Sequence, residues 1–211
     1  AEYGKTLIDH IQAYLYAKRE WNPRAEHAFA PALCNRIDRN TGGIVIAAKN
    51  AEALRIMNQK IKDHELSKQY LCIVHGTPAP KDGTLRGYIF KDAVKNRVYV
   101  TQSSQKGAKT AVTHYRTLCT HRGLSLLECT LETGRTHQIR AMLASAGHPL
   151  LGDGKYGNGT VNKRYHETRQ ALYSYRLGFA FSTDATPLNY LRGRVFTVEK
   201  VPFREKYFPR L

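Results

Sequence analysis

One short segment of the chain places a carboxylate between two cations at a turn. Residues 35–43 read NRIDRNTGG, so Asp38 lies between Arg36 and Arg39 and is soon followed by two glycines. Because nearby positive charges favour the charged form of a carboxyl group, we expect Asp38 to be ionised at neutral pH and able to act as a nucleophile or base. The glycines would let this loop bring its backbone close to a bulky partner. Taken alone, the pattern also suits a solvated Arg-Asp-Arg cluster at a turn before a buried strand.

Two further segments combine reactive side chains with predicted elements. Residues 66–76 read LSKQYLCIVHG and place a lysine and Tyr70 at the head of a predicted strand. Residues 132–140 read ETGRTHQIR, a glycine turn that leads into a predicted helix carrying Arg140, and GHPLLGD follows at residues 147–153. Each has an ordinary structural explanation: an aromatic residue that begins a half-buried strand, and a helix arginine whose charged end reaches solvent.

Taken together and in this order, the segments resemble the signatures of the RluA-type pseudouridine synthases, which isomerise uridine in structured RNA. Those signatures are an H-R-L-D-R-x-T-S-G loop, a K-x-Y strand start, and T-G-R-T-H-Q-I-R followed by G-H-P-I-x-G-D. The resemblance runs from about residue 30 to the last predicted strands. It implies an α+β pseudouridine synthase catalytic fold, with an extended mixed or antiparallel sheet, flanking helices and loops, and no cofactor or metal.

The resemblance also implies roles for individual residues. Asp38 matches the catalytic aspartate, Tyr70 the active-site tyrosine, and Arg140 the arginine that pairs with the aspartate. An ionised carboxylate could attack the ribose or the base, or stabilise charge while the glycosidic bond breaks, and these alternatives stay open. The tyrosine ring could pack on the uracil while its hydroxyl serves proton transfer.

Three residues are candidates for substrate binding. Arg36 matches a family arginine that can fill the space left when the target uridine leaves the RNA stack, as chemistry on a stacked base requires. Arg39 flanks the aspartate on the other side, and we expect it to contact the substrate as well. Leu172 matches a small apolar position that walls the base pocket, although a plain core leucine explains it equally well.

The chain departs from the family pattern at several points. Asn35 stands in place of the leading histidine of the aspartate loop, and Gly42 in place of its serine. A histidine-proline pair near the last strands is missing, as is the K-P-x-G strand that precedes the loop. Because neither substitution removes the acid, we expect them to affect the hydrogen bonding of the loop and not the reaction.

Charge and composition narrow the class of partner. The chain has 211 residues, 42% of them apolar, and a formal net charge of +16, which suits a polyanion such as RNA. No segment has the roughly 18 consecutive apolar residues of a membrane-spanning helix. The four cysteines are far apart and predict reduced, mostly buried thiols in a cytoplasmic protein. Five histidines without metal-ligand spacing predict structural roles: His75, His114, His121, His137 and His148.

The periodicity of apolar residues predicts one α+β domain over residues 1–211. We expect helical character in the first thirty residues, where apolar side chains recur at helical spacing between Leu7 and Leu15 and Asn22-Pro23 ends the pattern. Two further helices are expected, one from Ala51 with Asn50 as its N-cap and one over about 137–145. We expect strands over 43–48, 69–75, 84–90, 97–101, 109–118, 125–133, 172–181 and 195–201. The second helix should bury Leu54, Met57 and Ile61 and turn its lysines outward. Because Ala1 is not a natural start, we expect an N-terminally truncated chain without the small RNA-binding domain of many family members.

These observations favour a monomeric RNA pseudouridine synthase that acts on ribosomal RNA, and we expect that RNA to be the one of the large subunit. A synthase acting on tRNA is one alternative, and a catalytically silent RNA-binding or ribosome-assembly protein is another. A nucleic-acid hydrolase is disfavoured, because no second carboxylate or metal cluster accompanies Asp38. We expect the lysine-rich stretches Lys60–Lys68 and Lys91–Arg97 to face RNA.

Overall fold

The structure is a computed structural model that describes residues 6–25 and 29–209. In chain order the elements are α1 (Leu7–Ala17), β1 (Ala32–Leu33), β2 (Gly42–Gly43), β3 (Ala47–Ala48), α2 (Ala51–Lys62), β4 (Leu66–His75), β5 (Asp82–Asp92), β6 (Arg97–Thr101), β7 (Lys109–His121), β8 (Leu124–Leu131), α3 (Gln138–Ser145), α4 (Gly159–Arg164), β9 (Leu172–Phe179), a short 3-10 helix (Leu188–Leu191), β10 (Val195–Thr197) and α5 (Pro202–Tyr207). Most predicted elements are confirmed within a few residues at each end. The short helices α4 and α5 were not predicted.

The chain divides into two compact units, each made of separated segments. The first comprises Ala1–Ile37, Val45–Leu66 and Phe179–Arg194, and the second comprises Asp38–Ile44, Ser67–Gly178 and Val195–Leu211. Among the described residues, no helix has both the length and the apolar character needed to cross a membrane. The single catalytic domain over residues 1–211 stays a prediction.

The second unit is built on one large mixed sheet. Its strands follow the order β10-β9-β4-β8-β7-β5-β6, and β2 pairs in parallel with β9. The run from β4 through β8, β7 and β5 to β6 is antiparallel throughout. The predicted α+β class with an extended mixed or antiparallel sheet is therefore confirmed.

Helix α3 packs against the middle of this sheet. Its residues from Gln138 to Leu143 are all buried, and Ile139 and Leu143 share a core cluster with Cys72, Val74 and Leu127 of the central strands. A helix enclosed in this way holds any polar side chain that it carries at a fixed position in the interior. Arg140 is such a side chain, and only 7% of it is exposed.

Helix α2 of the first unit begins as predicted but faces the core differently. The Asn50 side chain accepts a hydrogen bond from the backbone N–H of Ala53 at 2.8 Å, as an N-cap should. The buried residues are Ile56, Met57 and Lys60, so the prediction that every lysine of this helix points outward is wrong. Lys60 is accommodated because its ammonium group forms an ion pair with the buried carboxylate of Glu65 at 2.8 Å.

Two other predictions need correction. The single strand predicted over residues 43–48 is instead two short strands, β2 and β3, which pair with β9 and β1 respectively. The predicted strand is interrupted because β2 pairs within the sheet of the second unit, whereas β3 pairs with β1. The second correction concerns the burial of the cysteines. All four are free, but only Cys72 and Cys129 are buried, whereas Cys34 and Cys119 are partly buried.

Candidate active site

The loop that carries Asp38 is anchored by two glycines against strand β9. Gly42 and Gly43 pair with Tyr173 and Ser174 of that strand. A Cβ atom on Gly43, whose φ is +117°, would lie 2.2 Å from the backbone oxygen of Ser174, and one on Gly42 would lie 2.6 Å from the Tyr173 ring. The close approach expected from the sequence therefore exists, and the bulky partner is the chain's own strand. Any side chain at Gly43 would push the loop away.

A buried glutamine provides a second anchor for the same loop. The side-chain amide of Gln170 donates hydrogen bonds to the backbone oxygen of Arg39 and to the Thr41 hydroxyl. The backbone N–H of Thr41 in turn donates to the backbone oxygen of Asp38 at 2.9 Å, closing the turn. Gln170 was not identified from the sequence, because an isolated glutamine outside any motif carries no signal of its partner.

Arg140 connects the loop to the buried helix. Its Nη1 donates to Oδ2 of Asp38 at 3.1 Å, across 102 residues of sequence. Its Nε and Nη2 donate to the two carboxylate oxygens of Asp153, at 2.7 and 3.1 Å. A guanidinium group held by two parallel hydrogen bonds has a fixed plane, so its remaining nitrogen is aimed at Asp38.

Asp153 is the residue that holds the guanidinium, and sequence reasoning gave it no role. It is 1% exposed, and its Oδ1 also accepts hydrogen bonds from the backbone N–H groups of Lys155 and Tyr156, at 2.8 and 3.0 Å. Burial acts to raise the pKa of Asp153, but the hydrogen bonds from Arg140 and from these backbone groups outweigh it and hold the pKa below its ordinary value. Asp153 is therefore a buried, ionised and fully hydrogen-bonded carboxylate.

The ring of Tyr156 lies next to Arg140 and also contacts His137. The Tyr156 ring centroid lies 5.3 Å from the guanidinium carbon, within cation–π distance. Its hydroxyl accepts a hydrogen bond from the backbone N–H of Val98 and lies 2.9 Å from Nδ1 of His137. Burial, the largest influence, lowers the pKa of His137, which favours the neutral ring. The Tyr156 proton can then be donated to Nδ1, which leaves the ring proton on Nε2.

Tyr70 lies in the core close to the aspartate. It is 8% exposed and belongs to the same cluster as Leu172 and Ile139. Burial raises the pKa of the Tyr70 hydroxyl; a hydrogen bond with Ser174 opposes the change, and the negative charge of Asp38 adds to it. Tyr70 is therefore a protonated phenol within electrostatic range of Asp38.

The structure brings together some of the predicted site residues. Asp38 and Arg140 are in direct contact, and Tyr70 and Leu172 share one core cluster, all within the second unit. The side chain of Arg39 in the same unit is exposed, and Arg36 is an exposed residue of the first unit. The ion pair described for Asp38 is thus made by Arg140 and not by the neighbouring arginines in the sequence.

The departures from the family motif have a local explanation in one case. The Asn35 side chain accepts a hydrogen bond from the backbone N–H of Ile46 at 2.7 Å, within the first unit. Asparagine thus still provides a polar anchor at the start of the loop segment. In residues 6–25 and 29–209, no group of three or more His, Cys, Asp and Glu side chains could hold a metal ion.

Comparisons with known proteins point to one family. A sequence family described as RNA pseudouridylate synthase matches residues 8–145. The ribosomal large subunit pseudouridine synthase D of Zymomonas mobilis is 37% identical over 156 residues, which cover 71% of this chain and 48% of that protein. An uncharacterised RNA pseudouridine synthase of Bacillus subtilis, YjbO, is 40% identical over 149 residues, covering 70% of this chain and 50% of that protein. The chain spans about half the length of these curated relatives.

A solved structure shows the same fold. The human RNA pseudouridylate synthase domain containing 4 aligns with a TM-score of 0.71 over 95% of this chain and 81% of that one, at 20% identity. A second human protein, RNA pseudouridylate synthase domain containing 1, aligns with a TM-score of 0.65 over 82% of this chain and 78% of that one, at 22% identity.

Proposed function

Because the chain belongs to the RNA pseudouridylate synthase family, we propose that it isomerises uridine to pseudouridine in ribosomal RNA, with Asp38 as its catalytic carboxylate. The contact between Asp38 and Arg140 is the observation that carries this proposal. The side chain of Asp38 is 23% exposed, so a substrate can reach it, whereas that of Arg140 is almost fully covered. A reactive group open to the substrate is thus oriented by a charge held in the interior.

The reaction requires a charged oxygen at a fixed place. The bond between the ribose and nitrogen 1 of uracil breaks, the base rotates, and a bond to carbon 5 forms. Carbon 5 loses its proton and nitrogen 1 takes up a proton, so the product is an isomer of the substrate. Arg140 engages Oδ2 of Asp38, and no described residue donates a side-chain hydrogen bond to Oδ1. Oδ1 is therefore the oxygen that would face the substrate, either as a nucleophile or as a stabiliser of positive charge on the ribose.

Tyr70 supplies the second reactive group. Its neutral hydroxyl can donate or accept a proton at the base, and its ring offers a flat apolar surface to the uracil. Leu172, from the same core cluster, would form part of the wall of the pocket. We further propose that Arg36 and Arg39, whose side chains are exposed, contact the RNA, with Arg36 occupying the space that the flipped uridine leaves.

The partner proposed for this site is RNA. A net charge of +16 favours a polyanion. Lys91 near the end of β5 and Lys95 in the turn before β6 are exposed, and they flank Val94, which is 97% exposed. Ribosomal RNA is proposed over tRNA because several relatives at 35–37% identity are named ribosomal large subunit pseudouridine synthase D. We place the reaction in the cytoplasm, consistent with four free cysteines.

The test is pseudouridine formation by the purified protein on transcribed ribosomal RNA, mapped at nucleotide resolution. Asp38→Asn should abolish the product while leaving the thermal midpoint and RNA affinity nearly unchanged, because the amide oxygen can still accept a hydrogen bond from Arg140, which keeps its ion pair with Asp153. Asp82→Asn, which changes an exposed aspartate of strand β5, is the matched control and should keep full turnover. Product formation by Asp38→Asn within tenfold of the parent would refute the catalytic assignment. Tight RNA binding without any product from the parent would favour the non-catalytic alternative.

A further inference from the structure

Lys68 lies on the same face of strand β4 as Tyr70. Side chains two residues apart in a strand project to the same side of the sheet, so the ammonium group shares the side of the candidate catalytic tyrosine. Its Nζ would lie 3.6 Å from a Cβ atom built on Gly134, which belongs to the turn that leads into α3. The ammonium group of Lys68 therefore lies beside the turn that precedes α3, the helix that carries Arg140.

The ammonium group of Lys68 has no partner in the described part of the chain. Burial alone lowers the pKa of this half-buried lysine, and no carboxylate or hydroxyl there forms an ion pair or hydrogen bond with it. Lys60 shows the contrast, because its buried ammonium contacts both the Glu65 carboxylate and the Thr183 hydroxyl. Withdrawing a cation from water without pairing it costs free energy, and an anion that arrives from solution can recover that cost.

We propose that Lys68 binds a backbone phosphate of the RNA strand that carries the target uridine. The phosphates bear the negative charge of RNA, and a compact ammonium with three donors suits such an oxygen as a point charge. Gly134 is exposed and has no side chain, so a phosphate can approach Nζ past the turn. This inference rests on RNA being the substrate, as proposed above, and adds a site that holds the strand next to the reacting base.

The experiment compares Lys68→Met with Lys200→Met, which removes the same charge from an exposed lysine. The measured quantity is the affinity for a uridine-containing stem-loop from 50 to 300 mM salt. We expect Lys68→Met to lower affinity about three- to tenfold at low salt and to reduce the log–log salt slope by about 0.7–0.9, the value for one phosphate contact. Lys68→Arg should retain the slope, and Lys200→Met should change it by less than half as much.

Thermal unfolding without RNA separates binding from a structural role. The Lys68→Met protein should melt at or above the parent temperature, because the variant no longer buries an unpaired charge. A lower melting temperature, or an unchanged salt slope, would overturn the proposal. So would unchanged affinity with a lower single-turnover rate at saturating RNA, which would assign Lys68 to the base instead of the phosphate.

The two proposals can fail separately. A parent protein that binds the stem-loop but makes no pseudouridine would refute the proposed function, whereas the salt comparison would still test the phosphate contact. A parent that makes pseudouridine, together with a Lys68→Met variant of unchanged slope, would refute only the role of Lys68.

Discussion

Replacing Asp153 by asparagine tests whether the buried guanidinium of Arg140 is what aims Asp38. The substitution keeps the size of the side chain but removes the charge that receives two hydrogen bonds from Arg140. An amide NH2 group would then face a guanidinium N–H, with donor against donor. Arg140 is 7% exposed and cannot turn to water, so its positive charge would stay buried with Asp38 as its only described carboxylate partner.

The loss of stability follows from the burial of this pair. Breaking a buried ion pair by removing one partner costs on the order of 3–5 kcal/mol. In a chain of this size each kcal/mol shifts the melting temperature by about 2–4 °C, so a fall of roughly 6–20 °C is expected. Turnover should fall on the order of a hundredfold, because the site depends on the position of the Asp38 carboxylate within about an ångström.

Two measurements check this result. Calorimetry gives the melting temperature, and release of tritium from RNA labelled at carbon 5 of uridine gives turnover, since that hydrogen is lost in the reaction. Asp82→Asn serves again as the exposed control. The double variant Asp153→Asn/Arg140→Met should be more stable than Asp153→Asn alone, because it removes the stranded charge. A melting temperature within 2 °C of the parent for Asp153→Asn would show that the guanidinium is positioned by something else.

Three other perturbations follow from the same contacts. Gly43→Ala should displace the Asp38 loop and lower turnover at least tenfold. Gly159→Ala is the control, because a Cβ atom there meets open space, and it should not lower turnover. Equal turnover of the two variants would refute the close approach of Gly43 to strand β9. Tyr70→Phe should lower turnover with little change in RNA affinity, since it removes a hydroxyl and keeps the ring; unchanged single-turnover rates would leave Tyr70 a packing role. Hydrogen bonds, of which the one from Lys60 has the largest effect, lower the pKa of Glu65 to about 2. The ionised carboxylate therefore stabilises the fold fully above its ordinary pKa of 4.5, and this stabilisation is lost as the pH falls towards 2. The melting temperatures of the parent and Glu65→Gln should therefore converge over that range, and a constant difference would contradict this.

The strands could be predicted from patterns that are local in the chain, and the pairing of Asp38 with Arg140 from the resemblance of three separated motifs taken together. Strands β5 to β8 alternate or carry β-branched residues between clear turns, which is a local signal. The pairing came from motif resemblance, and the structure places the two groups 3.1 Å apart. Local patterns of this kind do not reveal which buried groups support the pair.

The supporting residues were missed because their partners are distant in sequence. Asp153 ends the motif GHPLLGD, but nothing in residues 147–153 shows that its carboxylate accepts hydrogen bonds from a guanidinium of another element. Gln170 meets Arg39 across 131 residues. Lys60 did carry a signal, since it lies four residues after Ile56 and three after Met57 on one helical face. The presence of Glu65 soon after α2 would have explained how such a lysine can turn inward.

The distribution of charge around Asp38 suggests how a synthase of this kind would admit the base of its substrate and keep the phosphate backbone out. The chain as a whole carries +16, but Arg140 is shared by two carboxylates, so the three groups together carry a single negative charge. His137 adds no positive charge to them while its ring is neutral. A phosphate would be repelled from Asp38, whereas a flipped uracil is neutral and is not. In the proposed reaction, cations such as Lys68, which lie outside the group formed by Asp38, Arg140 and Asp153, would attract the RNA strand to the surface, and only the base would enter the site. Asp38, the proposed catalytic carboxylate, would then be neither neutralised by a lysine nor blocked by the backbone of the RNA.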